Sequence, residues 1–432
     1  MSSLLERIRA ALDGTPLAEL SPAAVDFAEH HDAAGRDLSE DALRGIARVV
    51  ASQPGTAGFL AHRSHFLERL HEFPADVLEK RAAAFSADHD AILELDLEDA
   101  LDALRLRRRE EMAFAACVDL AGTASFEAVS EYLSLLAEST LVAALELARR
   151  ETKGDDADAF AVLGMGKLAG RELTYHSDLD LIFLYQGGPD LVAQASRIGQ
   201  RLISYLTTMT GAGVAYEVDT RLRPSGRQGM LVTSFEAFEQ YQLKTAATWE
   251  HLAQLRGRVV AGPPAARDVL DRVHGHILAE KAPHWSELAE MREQVRAERA
   301  AGTAGMAIKT GAGGLMDVDF LAGGGLLERG ADAFPPVPSV PAMLRACAAG
   351  PAVESLVADY GLLRRVEARM RWVAGRGVES LADDETAALV AELVEPGLAG
   401  PALVLRIAEA RERIRGRWDA VVSAGRLDAL EA

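Results

Sequence analysis

Val162-Leu-Gly-Met-Gly-Lys-Leu-Ala-Gly-Arg-Glu-Leu-Thr-Tyr-His-Ser-Asp-Leu-Asp-Leu-Ile-Phe-Leu-Tyr185 decides the fold. An apolar run enters a pair of glycines, a polar turn follows, and a second apolar run leaves it, so the stretch predicts strand, turn and strand. Working outward, strands are expected at Phe160 to Leu163, Leu179 to Tyr185 and Val214 to Leu222, each rich in β-branched, aromatic or leucine residues. Between the second and third, Val192, Ala195, Ile198, Leu202, Leu206 and Met209 recur at helical steps, and Gly211 stops them. Both flanks read as helix. Before Arg109 the pattern is of short amphipathic helices broken by turns such as Gln53-Pro54-Gly55, closing on the basic run from Leu106 to Arg109. A helical stretch from Arg109 to Arg150 then runs to the charged break at 151–156. After Pro263-Pro264 the helical pattern returns, with Leu356, Tyr360, Leu363, Val366, Met370 and Val373 on one stripe ended by Gly375. The expected class is α+β, mostly helical, with regions at 1–108 (N-terminal helical), 109–264 (α/β) and 265–432 (C-terminal helical bundle).

The chemistry is read from the same stretch. At Gly164 and Gly166 the missing Cβ lets backbone N–H groups approach a phosphate, and Lys167 follows as a point charge for it. The spacing is not that of a P-loop, nor of a Rossmann fingerprint. Eleven residues separate Gly166 from Asp178-Leu179-Asp180. Strand side chains alternate, so both carboxylates leave one face while Leu179, Leu181 and Phe183 enter the core. Two anionic oxygens beside a phosphate loop suit magnesium, which takes one or two carboxylates plus substrate oxygens. On the third strand Asp219 shares a face with Glu217 and Arg221, and it can join the pair. Three carboxylates on neighbouring strands can hold two ions about 3.5–4 Å apart for in-line displacement. Arg221 and Arg223 are placed to neutralise a transferring phosphoryl group.

Elsewhere the bland reading is preferred. Asp88-x-Asp90 and Asp317-x-Asp319 repeat the carboxylate spacing without a glycine loop. His31-Asp32 and His89-Asp90 lie in polar helical text and read as solvated faces. Gly311-Ala-Gly-Gly314 fits either a phosphate contact or an interdomain turn, His176 either a base or a neighbour, and Glu217 a structural ion pair.

Composition limits the partners. The 432 residues are 49% hydrophobic and 26% charged, with a formal charge of -19, so most of the surface repels nucleic acid. Cys117 and Cys347 are far apart and outside any zinc spacing, which fits a reducing compartment. No signal peptide and no run of about 18 apolar residues is evident, so the expectation is a cytoplasmic protein with no membrane span.

With these residues assembled, the chain resembles the glutamine synthetase adenylyltransferase family, within the DNA polymerase β-like nucleotidyltransferase superfamily. The resemblance spans roughly residues 105–376. It is carried by Leu163 to Tyr185, by Tyr216-Glu-Val-Asp-Thr-Arg-Leu-Arg-Pro-Ser-Gly226, by Gly229-Met-Leu-Val-Thr-Ser-Phe-Glu-Ala-Phe238, by Thr248-Trp-Glu-His251 and by Ile308-Lys-Thr-Gly-Ala-Gly-Gly-Leu-Met-Asp-Val-Asp-Phe-Leu321. It implies a nucleotidyltransferase domain at 109–264 and transfer of AMP from ATP to a tyrosine hydroxyl of glutamine synthetase, with control of nitrogen assimilation. Glutamine synthetase is the implied partner, and glutamine and a PII signalling protein the implied effectors. Asp178, Asp180 and Asp219 match the metal ligands; Gly164, Gly166, Lys167 and Ser177 fall in the nucleotide-phosphate loop.

Two features depart from the family pattern. The motif occurs once, whereas family enzymes commonly carry an AMP-adding and an AMP-removing half. Phe320-Leu-Ala-Gly-Gly-Gly325 stands where the family usually has a glutamine after the acidic pair, and is read as a changed loop. Adenylylation is favoured over phosphorolytic removal, because Tyr216 to Gly226 and Thr248 to His251 look like the adding half although Leu163 to Gly166 looks like the removing one. A non-catalytic subunit binding PII or glutamine synthetase is the alternative from another class.

Overall fold

Alternation along the central strands sets the layering. The computed structural model describes residues 2–33, 37–63, 65–152, 159–280, 285–300 and 306–431; most of the charged break at 151–156 lies outside them. Strands β1 (Phe160–Met165) and β2 (Leu179–Tyr185) pair antiparallel, with Phe160 opposite Tyr185 and Gly164 opposite Leu181. Phe160, Val162, Leu181, Phe183 and Tyr185 face a core built with the N-terminal helices. Ala161, Leu163, Met165, Ile182 and Leu184 face a second core built with the C-terminal helices. Because both faces are covered, the strands read as continuous apolar runs.

The rest of the sheet assembles on this pair. β3 (Val218–Asp219) and β4 (Val232–Ser234) both lie parallel to β2, along its first and last residues in turn, and β5 (Gly257–Ala261) is antiparallel to β1. The order β3-β2-β1-β5 makes a small mixed sheet in a mostly helical α+β chain. β3 is far shorter than the expected Val214 to Leu222. Its approach is diverted when the Ala215 and Tyr216 amides donate to Leu206 O at 3.1 and 3.0 Å, and its exit is turned when the Arg221 amide donates to Asp219 Oδ1 at 2.8 Å. The preceding helix likewise ends at Thr207, before Gly211, and leaves Met209 71% exposed, off the stripe expected to bury it.

On the N-terminal side the helix Leu97–Ala121 runs unbroken through Arg108, where the basic run was read as a closing boundary. It packs on the helix Phe126–Glu151, whose length and hydropathy would also suit a membrane span but whose apolar side chains, among them Val129, Tyr132, Leu136 and Leu141, lie in the core. His31 is buried as well, against the expectation of a solvated face, and its Nε2 bonds to Leu60 O at 2.9 Å.

On the C-terminal side the helix Pro351–Ala374 buries Leu356, Tyr360, Leu363, Val366 and Met370 as its stripe predicts, and Gly375 caps it in the left-handed region. The segment Phe320 to Gly325 is not a loop. It lies in the helix Leu315–Arg329, where a Cβ on Gly323, Gly324 or Gly325 would stand 2.9, 2.6 or 2.9 Å from Leu252, Trp285 or Leu427, so the three glycines let three neighbours close in. Two-residue strands β6 (Met306–Ala307) and β7 (Ser380–Leu381) pair beside this helix.

Candidate active site

Parallel pairing of β2 with β3 sets Asp180 directly opposite Asp219, and Asp178 stands one residue before β2 on the same face as Asp180. One carboxylate oxygen from each of the three lies within 4.8 Å of the others. Asp178 is exposed and the other two are half-buried. Burial first, and then the neighbouring charges of Asp178 and Asp219, push the Asp180 carboxyl up to about 6 against the opposing charges of Lys309 and Lys167. An all-oxygen donor set that repels itself in this way fits a hard divalent cation.

The cluster opens into a cleft of about 780 Å³ between the sheet and the C-terminal helices. Gly166, Lys167 and Arg221 line it together with the three aspartates. Gly164, Ser177 and Arg223 do not. Gly164 is inside β1, and a Cβ there would come within 2.9 Å of both Val260 and Leu168, so packing accounts for the glycine. Ser177 is buried, accepting from the Thr174 amide at 3.1 Å and from Arg371 Nη1 at 3.3 Å. Arg223 turns back to donate to Thr220 O at 2.7 Å and braces its own loop.

The expected cradle of free amides also takes another form. The Gly166 N–H already donates to Arg256 O at 2.8 Å, and Arg256 Nη2 returns to Gly166 O at 3.3 Å. What Gly166 supplies is space: with φ at +56° and no Cβ, it leaves the floor beside Asp180 Oδ2 open. Lys167 Nζ is held 2.6 Å from Glu367 Oε1, a buried carboxylate that also pairs with Arg364 and, at 3.4 Å, with Arg371. Burial lowers the Lys167 ammonium, with Glu367 opposing. Arg221 donates through Nε to Asp219 Oδ2 at 2.6 Å.

Several cleft residues escaped sequence reasoning. Arg256 is clamped between Glu172 at 2.6 Å and Asp319 at 2.9 Å, and Arg371 and Lys309 also face the cleft. Trp249, 49% exposed, forms part of the rim. In the same motif Glu250 accepts from Tyr241 Oη at 2.8 Å, and the buried His251 bonds to Gln242 O at 2.8 Å, so the Thr248 to His251 signature holds the rim in place. The other candidates sort out cleanly. Asp317 is buried against Arg292, and the glycines from Gly311 to Gly314 make a turn against Arg411. Asp88 pairs with Arg81 at 2.8 Å. His176 carries a positive φ and its Nε2 is buried without a partner; burial, then Arg108 and Arg371, push it down to about 3, so it stays neutral. Glu217 is exposed and forms no ion pair among the described residues, contrary to the structural role expected for it.

Residues 43–272 match the family described as glutamate-ammonia ligase adenylyltransferase. A bifunctional glutamine synthetase adenylyltransferase/adenylyl-removing enzyme from Neisseria meningitidis serogroup A is 40% identical over 291 residues, covering 65% of this chain and 32% of that protein. Proteins of the same description from Aromatoleum aromaticum and Hahella chejuensis are 34% identical over 296 residues and 38% over 256, covering 65% and 52% of this chain and 31% and 27% of theirs. The chain thus spans about a third of the length of the curated relatives it matches.

Proposed function

Because the chain belongs to the glutamate-ammonia ligase adenylyltransferase family, we propose that its acidic cleft moves an adenylyl group from ATP to a tyrosine hydroxyl of glutamine synthetase. The observation that carries this is the convergence of Asp178, Asp180 and Asp219 beside the open floor at Gly166. Magnesium held by these carboxylates supplies Lewis-acid stabilisation of charge on the phosphate oxygens. The chain's own residues do the rest. Gly166 leaves room for the triphosphate, Arg221 on the exposed side balances charge at the transferring phosphorus, and Arg256 fixes the Gly166 turn. The tyrosine oxygen bonds to the α-phosphorus as the bond from that phosphorus to the bridging oxygen breaks. Pyrophosphate departs with the bridging oxygen, and the phenolic proton passes to a cluster carboxylate and on to water.

The order β3-β2-β1-β5, with carboxylates on adjacent strands, supports a polymerase β-like nucleotidyltransferase domain within 109–264, flanked by helical regions at 1–108 and 265–432, the first of them continuous with it through the helix Leu97–Ala121. Two buried free thiols, Cys117 and Cys347, support action in a reducing cytoplasm. Glutamine and a PII-type protein as effectors belong to the same proposal. A second reading, phosphorolytic removal of AMP with release of ADP, is favoured by the relatives' names, which carry both activities.

The test is magnesium-dependent transfer of label from α-labelled ATP to purified glutamine synthetase. Label that stays with ATP at every magnesium concentration overturns the adding reaction. Labelled ADP released from adenylylated glutamine synthetase only when phosphate is present establishes the removing one.

A further inference from the structure

Five basic side chains line the acidic cleft, and four of them already have carboxylate partners. Lys167 and Arg371 share Glu367, Arg221 holds Asp219, and Arg256 lies between Glu172 and Asp319. The fifth, Lys309, has no hydrogen-bond or ion-pair partner among the described residues. A half-buried lysine that faces the cleft and touches no carboxylate, acting on Asp180 only through space, has its ammonium available to an anionic ligand.

Its backbone is anchored on every side. Ile308, next to it, is buried and donates its amide to Glu379 O at 3.1 Å. The Lys309 carbonyl accepts from the Met316 amide at 3.1 Å, and the turn that follows is pinned by Arg292 Nη2 on Thr310 O at 2.8 Å and by Arg411 Nε on Ala312 O at 3.0 Å. Gly313, at φ +67°, lets this turn lie against the Arg411 backbone, where a Cβ would stand 1.9 Å from the carbonyl oxygen. The lysine is therefore presented into the cleft from a rigid platform on the C-terminal side, and its charge is felt at both Asp180 and Lys167.

From the sequence, Lys167 was the expected phosphate ligand. Its ammonium is committed to Glu367, so among the described residues lining the cleft the basic side chain with no carboxylate contact is Lys309. We propose that Lys309 binds the β- and γ-phosphates of ATP, the part that leaves as pyrophosphate, and that it thereby distinguishes ATP from AMP. The inference rests on the nucleotide reading of the cleft. A single ammonium is a compact point charge well suited to phosphate oxygens.

The test uses equilibrium binding of ATP and of AMP to the full chain, in magnesium and in EDTA, for the parent, K309Q and K309R. Matching thermal transitions establish that each variant is folded. In K309Q, ATP affinity is expected to fall on the order of tenfold to a hundredfold. The loss persists in EDTA, AMP affinity is unchanged, and K309R recovers most of the ATP binding. If K309Q binds ATP as tightly as the parent, the assignment of Lys309 is wrong while the nucleotide reading stands. An equal loss of ATP and AMP also overturns it, because the lysine would then serve only to balance the carboxylates. A parent chain that binds neither nucleotide overturns the nucleotide reading itself, and this inference with it.

Discussion

Replacing Glu367 with glutamine removes one negative charge from a place where three positive ones meet. Lys167 lies at 2.6 Å and Arg371 at 3.4 Å, Arg364 is also paired, and the Glu367 side chain is 3% exposed. Burial alone would push the carboxyl up, but the Lys167, Arg364 and Arg371 charges outweigh it and hold it below the usual carboxylate range. Removing one partner of a buried pair costs about 3–5 kcal/mol. Lys167 keeps some access to water, and burial already favours its neutral form, so the lower end applies. At about 1 °C per kcal/mol for 432 residues, about 3 kcal/mol becomes a fall in melting temperature of about 3 °C. The pH dependence has a definite sign. A carboxylate whose folded pKa is depressed stabilises the fold above its unfolded value near 4.5 and ceases to do so as pH falls toward the folded one. The gap between parent and variant in scanning calorimetry is therefore full at neutral pH and narrows in acid. Combining Glu367→Gln with Lys167→Met should give less than the sum of the two single losses, with a coupling of about 0.5–3 kcal/mol. Equal melting temperatures at neutral pH, or strict additivity in the double variant, would refute the reasoning.

Asp180→Asn should lower label transfer to glutamine synthetase by about a thousandfold, the equivalent of about 4 kcal/mol at the transition state, which a quenched single-turnover assay measures. Magnesium at a hundredfold excess over its Kd should stabilise the parent by about 2.7 kcal/mol in a thermal shift, and the same variant should lose that response. Gly313→Ala places a Cβ 1.9 Å from the Arg411 carbonyl oxygen and should cost about 2 kcal/mol or more in urea denaturation. Gly416→Ala, with nothing within 4 Å in a helix interior, should instead stabilise by about 0.5–1 kcal/mol.

What could be read from the sequence was local. The period-two pattern from Leu179 to Tyr185 placed Asp178 and Asp180 on one face, and the helical stripe from Leu356 to Met370 matched the helix that carries it. Asp219 was legible as a partner because the pattern around it also alternates, although only two residues there are paired as strand. Contacts that cross long stretches of chain were not legible. Lys167 and Glu367 are 200 residues apart, and Arg256 and Glu172 are 84. No pattern near Lys167 tells that its charge is taken by a distant helix, and none near Lys309 tells that it touches no carboxylate among the described residues. Gly164 and Gly166 read alike in the sequence and differ in place: one is packed against Val260 and Leu168, the other leaves a gap beside Asp180.

Coverage of the sheet from both sides has a consequence for the chain while it is being made. β1 and β2 leave the ribosome with one apolar face completed by earlier helices together with the helix Val192–Thr207 that follows directly, and with the Leu163, Ile182 and Leu184 face waiting for residues much later in the chain. At about 5–20 residues per second, the 200 residues from Lys167 to Glu367 take about 10–40 s to appear. For that interval a nascent chain exposes an apolar sheet face, and Lys167 is without Glu367. The Gly166–Lys167 turn therefore gains its buried ion pair only when the late helix docks.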